Sequence, residues 1–373
     1  MPTEPRVPLS RPTRLPASAE GAASAFSAGD IDGYGPANRS CEDLLTRHFG
    51  AATLLVSSGT HALELAALAL DLTSGDEVIV PSFAFVTTAA AFARVGASLR
   101  FVDCDADGNL DLDDLPRAIT PRTRAIVALH YAGGCCDLAR LTRIAGEAGV
   151  LLVEDAAQSI GASFDGRPLG TFGRIGCLSF DSMKNLTAGQ GGAVVINDPE
   201  SLDRCHRIRD RGTNRRDFLA GRAAAYEWTD AGSNFSLSGL NAAVLEPQLR
   251  RLEEINERRR ILWQRYFDAL ASPLAAAGAR IVRPAPRVRS NAHLFAMVWP
   301  SRALRDRFLS FLDDGGIGAA FHYTALHRSS FGRRYVTEGE RFPGSEVLAD
   351  GLARLPLFDA LSEAEQSRVI ERT

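Results

Sequence analysis

The sequence predicts an α/β chain: a large domain built on a mostly parallel seven-stranded sheet, then a smaller C-terminal α+β domain. Two observations carry this prediction. Between residues 50 and 200, seven apolar runs (52–57, 77–81, 98–102, 124–130, 150–154, 175–180 and 192–196) are spaced by helical stretches such as 60–70, 84–95 and 138–148. Short continuous apolar runs separated by helices are the pattern of strands buried on both faces of a parallel sheet. Beyond residue 240 the pattern changes to a long helical run and then to mixed strands and helices. A chain of 373 residues is also too long for one small core.

The first run leads into Ser57-Ser58-Gly59-Thr60-His61 and then an alanine- and leucine-rich helical stretch to Leu70. A strand, a turn of small residues and a helix start present backbone N–H groups with the Ser58 and Thr60 hydroxyls, which suits an anion. The turn has neither the dinucleotide glycine pattern nor the nucleoside-triphosphate phosphate loop, and many α/β proteins share such turns. The fifth run ends in Glu154-Asp155-Ala156-Ala157-Gln158. Ligands of open α/β sheets sit beyond the carboxyl ends of strands, so Asp155 and Gln158 stand where polar groups can face one. A carboxylate there can keep a pyridine nitrogen protonated, although Asp155 alone is equally a helix N-cap. The sixth run leads into Lys184, and a glycine-rich turn and a seventh run follow. A lysine held between buried strands loses hydration, which favours the neutral amine that Schiff-base chemistry requires. A lone lysine in a turn is ordinarily exposed.

Residues 207–235 break the rhythm. Arg207, Arg209, Arg211, Arg215 and Arg216 are interspersed with Phe218, Tyr226, Trp228 and Phe235. A solvated basic loop would not need the aromatics, which suggest a surface that packs on a partner or a nucleotide. Leu240 to Leu270 reads as one helical run with a kink or restart near Pro247. A strand at 294–298 and a helix at 301–312 follow. The divisions expected are a poorly ordered arm at 1–20, a large domain at 21–245, and a bridging helix with the small domain at 246–373.

Composition narrows the function classes. Hydrophobic residues are 45% and charged residues 23%, and the net charge of −3 offers no long-range attraction to nucleic acid or an anionic membrane. No run approaches the roughly 18 to 20 apolar residues of a membrane span, and the proline-containing N-terminus lacks a signal-peptide core. A cytoplasmic protein is expected. The six cysteines and seven histidines show no metal-ligand spacing, so no metal site is expected.

Taken in order, Ser58-Gly59-Thr60, Glu154-Asp155-Ala156-Ala157-Gln158 and Ser179-Phe180 through Lys184-Asn185 to Gly189-Gln190-Gly191-Gly192 resemble the DegT/DnrJ/EryC1/StrS sugar-nucleotide aminotransferases of fold-type I. The resemblance runs from about residue 28 to 370. It includes Gly75-Asp76-Glu77, Phe101-Val102-Asp103 and Phe321-His322-Tyr323. His130-Tyr131-Ala132-Gly133, Arg211-Gly212-Thr213-Asn214-Arg215 and Tyr226-Glu227-Trp228 look most similar to transaminases that aminate C-4 of dTDP-4-keto-6-deoxyglucose.

The resemblance implies an aspartate-aminotransferase-like fold and pyridoxal 5'-phosphate as cofactor. Glutamate would donate the nitrogen, and a dTDP-keto-sugar would receive it, for a natural product or a surface glycan. Lys184 would form the Schiff base and shuttle the proton. Asp155 would pair with the ring nitrogen, Gln158 with the ring 3-oxygen, and Phe85 would stack on the ring unless it is a core residue. Ser58, Gly59, Thr60 and Ser179 would bind the phosphate, joined by Asn234 from the second subunit of a homodimer with shared active sites. Ser236 stands where a lysine or arginine often completes the Asn234 element. His322, Tyr323 and His327 would lie near the sugar nucleotide, His327 equally as a packed histidine. Amination at C-3 or of a UDP-linked sugar is the alternative within the family. Retention of Lys184 argues against dehydration or a catalytically silent binding protein.

Overall fold

A computed structural model describes residues 6–373. Each of the seven apolar runs forms a strand. They are β1 (Ala52–Val56), β2 (Glu77–Pro81), β3 (Ser98–Val102), β4 (Thr123–Leu129) and β5 (Leu151–Asp155), and then, after a small hairpin of β6 (Ser163–Phe164) and β7 (Arg167–Pro168), β8 (Ile175–Ser179) and β9 (Gly192–Ile196). The sheet order is β1-β9-β8-β5-β4-β2-β3. β3, β2, β4, β5 and β8 run parallel. β9 is antiparallel to both its neighbours, because the chain returns from β8 without a crossover helix, and a parallel neighbour needs one.

The continuous apolar runs are explained by burial on both faces. Val78, Val80, Val127 and Val153 pack on one side with Leu63 and Ala66 of the helix Gly59–Ala69. Ile79, Ile126 and Leu152 pack on the other with Leu138 and Leu141 of the helix Leu138–Ala148.

The long helical run is two helices, Gly239–Arg250 and Leu252–Ala276. The break falls at Arg251 rather than at the expected Pro247. Pro247 stays inside the first helix, where the Gln248 side chain donates to the Val244 carbonyl at 2.9 Å. The second helix carries Tyr266 and Leu270 into a separate core with Phe295, Leu312 and Phe358. That core lies against the antiparallel sheet β10 (Arg280–Ile281), β12 (Phe295–Val298) and β13 (Leu352–Leu355), while β11 (Val288–Arg289) pairs with β6.

The expectation of a loose arm at 1–20 is corrected where the chain is described; residues 1–5 lie outside the described residues. Val7 is buried and bridges to Ile317, filling the small-domain core. Thr13 donates to Asn185 O and sits 3.0 Å from Asp359. Pro16 then opens a helix to Ala28, a first-turn position that suits proline's missing N–H. No helix among the described residues is long and apolar enough to cross a membrane.

Candidate active site

The register of the sheet brings the sequence motifs together. Val56 at the end of β1 and Ser179 at the end of β8 both pair with Gly192, and Asp155 ends the adjacent β5. The three chain segments that leave these strands therefore open on one edge. A cavity of about 670 Å³ lies there, lined by Ser58, Gly59, Thr60, Phe85, Asp155, Gln158, Ser179 and Lys184 from the large domain and by His322, Tyr323 and Arg354 from the small one.

Ser58 caps the helix Gly59–Ala69, its Oγ accepting from His61 N at 3.0 Å. A Cβ on Gly59 would stand 2.8 Å from the Ser179 Cβ, and one on Gly192 would stand 2.4 Å from Ser58 O. The glycines thus let two strand ends close into a cup of backbone N–H groups and hydroxyls at a helix N-terminus, which suits a dianion.

Asp155 is buried, and burial pushes its carboxyl above the ordinary value. Thr88 Oγ1, which donates to Oδ2 at 2.6 Å, Ala157 N at 3.2 Å and the charge of Lys184 all oppose that rise. No helix follows Asp155, so it is not an N-cap. Gln158 is fixed at both ends: its Oε1 accepts from Ala132 N at 2.7 Å and its Nε2 donates to Tyr323 Oη at 2.5 Å. Burial lowers the Lys184 amine below the ordinary lysine value, against the pull of Asp155 and Asp181. Phe85 is half exposed at the cavity wall rather than packed in the core.

Not every expected residue reaches the cavity. His322 lines it, with Nδ1 2.8 Å from Tyr131 Oη and its ring stacked on Tyr323. His327 does not. Its Nδ1 lies 2.5 Å from Ser82 Oγ and its Nε2 3.2 Å from Glu346, and it packs on Phe342. Asn234 also lies outside the cavity wall of its own chain, exposed, with its Oδ1 accepting from Ser236 Oγ at 2.9 Å.

Three residues that the sequence motifs did not single out belong to the site: Thr88, which holds Asp155, and His293 and Arg354, which line the cavity. Thr88 lies within the small and apolar run Thr88-Ala89-Ala90-Ala91-Phe92 and gave no polar signal of its own. Arg354 did, as a lone charge inside the apolar run Leu352-Ala353-Arg354-Leu355.

An anion cup, a buried carboxylate, an amine depressed by burial and a wall aromatic fit pyridoxal phosphate, whose phosphate, ring nitrogen, aldehyde and ring face need these four partners. The model of the DegT/DnrJ/EryC1/StrS aminotransferase family matches residues 17–373. The chain belongs to this family. It is accordingly a pyridoxal-phosphate-dependent sugar-nucleotide aminotransferase. Among solved structures, this aminotransferase is similar to TlmJ from Streptoalloteichus hindustanus, at 32% identity over 98% of this chain and 97% of that one, with a TM-score of 0.90. It is similar also to the sugar aminotransferase CalS13 from Micromonospora echinospora, at 30% identity over 98% of both chains and a TM-score of 0.89. The third is DesV from S. venezuelae, at 31% identity over 99% and 97% and a TM-score of 0.88.

Proposed function

We propose that this aminotransferase moves the amino group of L-glutamate to C-4 of dTDP-4-keto-6-deoxyglucose, giving dTDP-4-amino-4,6-dideoxyglucose or its galacto epimer. The observation that carries the reading is the convergence of Lys184, Asp155, Gln158 and the Ser58–Thr60 cup on one cavity. Bound pyridoxal phosphate supplies an aldehyde carbon for the amine and a ring that stores the electron pair released when a C–H bond breaks. The chain's own residues do the rest. Lys184 Nζ, depressed by burial, takes the proton from the donor's α-carbon and returns one to the acceptor carbon, as an amine that is base and then acid. The Asp155 carboxylate, held by Thr88 and Ala157, keeps the ring nitrogen protonated. Gln158 and Phe85 set the ring's tilt, and Ser58, Gly59, Thr60 and Ser179 anchor its phosphate.

The choice of a dTDP-4-keto sugar rests on the segments that resemble C-4 transaminases. Two of them meet in the fold: Thr213 bridges to Trp228, and the Asn214 side chain accepts from Glu227 N at 2.8 Å. Tyr131, from the third, holds His322 at the cavity wall. His322 and Tyr323 face the sugar; His327 serves by bridging Ser82 to Glu346.

The active form in this reading is a homodimer. Phe218, Tyr226 and Trp228 are exposed, Trp228 by 82%, and Phe85 and Met183 are exposed at the cavity mouth. A second copy would cover them and bring its Asn234 to the phosphate.

The test offers the holoenzyme glutamate together with dTDP 4-keto and 3-keto sugars in one vessel and assigns the product by NMR. Dominant C-4 amination is expected, and the same spectrum gives the C-4 configuration. Dominant C-3 amination, or preference for a UDP-linked 4-keto sugar, overturns the substrate assignment.

A further inference from the structure

His293 lines the active-site cavity just ahead of β12, and its neighbours fix which ring nitrogen carries the hydrogen. Two backbone carbonyls decide this. Asn256 Nδ2 donates to Ile160 O at 3.0 Å, so Asn256 turns its Oδ1 to Asn185. Asn185 Nδ2 donates to that Oδ1 at 2.8 Å and to Asn291 O at 2.9 Å. Both amide hydrogens of Asn185 are then spent, and its Oδ1 faces His293 Nδ1 at 2.9 Å as an acceptor. Nδ1 must therefore donate. Burial, with the charges of Lys184, Arg259 and Arg354, holds the imidazole well below the ordinary histidine value, and in the neutral ring Nε2 carries a lone pair. Among the described residues nothing pairs with Nε2, and unlike His130 Nδ1 it is not sealed from water. His293 keeps some accessible surface, and the opening it meets is the cavity.

A free acceptor calls for a donor, and the position of the ring says which. Its Nδ1 partner, Asn185, follows Lys184 in the chain, and the Lys184 charge is foremost among those acting on the ring. His293 thus stands beside the reacting amine. A carboxylate of glutamate has no hydrogen to give at neutral pH and would set lone pair against lone pair. A hydroxyl donates. In a 4-keto-6-deoxyglucose the reacting carbon lies between C-5, which bears the ring oxygen and a methyl group, and C-3, which bears a hydroxyl. The C-3 hydroxyl is the donor on the atom next to the carbon that must come within about 3 to 3.5 Å of the amine.

We propose that His293 Nε2 accepts a hydrogen bond from the C-3 hydroxyl of the keto-sugar and so selects sugars hydroxylated beside the ketone. The inference rests on the proposed C-4 transaminase reading and adds the residue that recognises the neighbouring carbon. Such a contact serves the sugar half-reaction alone, whereas a proton relay through Lys184 would serve both halves.

The experiment compares wild type, His293→Asn and His293→Gln as holoenzymes, with thermal melts to confirm the fold. It follows the glutamate and keto-sugar half-reactions separately, from the absorbance of the bound cofactor. In His293→Asn the amide keeps a donor for Asn185 where Nδ1 stood and leaves nothing at the Nε2 position. The longer amide of His293→Gln places an oxygen near that position. Wild type should favour dTDP-4-keto-6-deoxyglucose over its 3-deoxy analogue by about 10- to 100-fold in the rate constant per unit sugar. His293→Asn should bring the two sugars within about threefold of each other and leave the glutamate half-reaction within about threefold of wild type. His293→Gln should retain part of the preference. Calorimetric titration with dTDP-6-deoxyglucose and its 3-deoxy analogue, which have no ketone, gives a binding readout independent of turnover, with the same loss of preference expected in His293→Asn. Equal rates for the two keto-sugars in wild type, a preference preserved in His293→Asn, or a glutamate half-reaction slowed as much as the sugar half-reaction overturns the proposal. If wild type fails with the 4-keto sugar, the substrate reading fails, and the two calorimetric titrations still decide His293.

Discussion

Replacing Thr88 by valine removes one hydroxyl from beneath Asp155 and nearly nothing else. Thr88 is fully buried on the helix Val86–Arg94, and its Oγ1 donates to Asp155 Oδ2 at 2.6 Å. Burial raises the Asp155 carboxyl, and this hydrogen bond is foremost among the interactions that oppose the rise. A hydrogen bond to a charged group contributes about 1.5 to 3 kcal/mol. Its loss should therefore raise the Asp155 carboxyl further. The sign follows from the donor favouring the ionised form: without it, more Asp155 is protonated at a given pH, and a protonated carboxyl cannot hold the ring nitrogen as a cation. The acid limb of log kcat/KM against pH should move upward, while the basic limb, set by other groups, stays. Thr88→Ser keeps the donor and should leave the acid limb near its wild-type position. A pH series on the three holoenzymes, with thermal melts to confirm the fold, makes the measurement. An unmoved acid limb in a folded Thr88→Val, or the same displacement in Thr88→Ser, would refute the role given to this hydrogen bond.

A mixture of two inactive variants tests the shared site. Lys184→Ala removes the amine and Asn234→Ala the proposed donor to the neighbour's phosphate, so in a random mixture one site in four carries both native residues. Recovery of about a quarter of wild-type activity is expected. An active monomer in sedimentation, or no recovery from well-formed hybrids of severely impaired parents, rejects the arrangement. Asp105 tests the electrostatics away from the site. Burial raises its carboxyl to about 6, while its Oδ1 accepts from Asp107 N and Asn109 N. The folded state therefore binds the extra proton between about pH 4 and 6, and stability falls as pH rises through that window. Asp105→Asn keeps an acceptor oxygen and removes the titration, so its melting temperature should exceed wild type by about 1 to 3 °C at neutral pH. The gain should disappear below about pH 4; calorimetry showing a difference that does not depend on pH would contradict it.

The sequence by itself determined the seven strands and the chemistry at their ends. Strand residues such as Val78 to Val80 are apolar on both faces because the sheet is covered on both faces, and that constraint is written locally in each run. The polar residues that stop those runs, Asp155 and Gln158 after β5 and Lys184 after β8, are legible for the same reason: a polar side chain at a buried strand end must answer to a ligand or a partner. What local pattern does not contain is which partner. Asp155 reads equally as a cap until the fold puts Thr88 against it and no helix after it. His322 and His327 sit five residues apart in one motif, yet the turn between them sends the first to the cavity and the second to Ser82 and Glu346. Residues near the N-terminus look like a loose arm because proline and polar residues carry no periodic signal, whereas the burial of Val7 against Ile317 is a contact across most of the chain. Arg354 is the clearest case. A lone charge in an apolar strand marks an anomaly in the sequence, but only tertiary packing leaves its Nε buried without a partner and puts the side chain in the wall of the cavity that also holds Lys184. Burial and periodicity are local properties of the chain; pairing between side chains distant in sequence is decided by the closure of the two domains on one another.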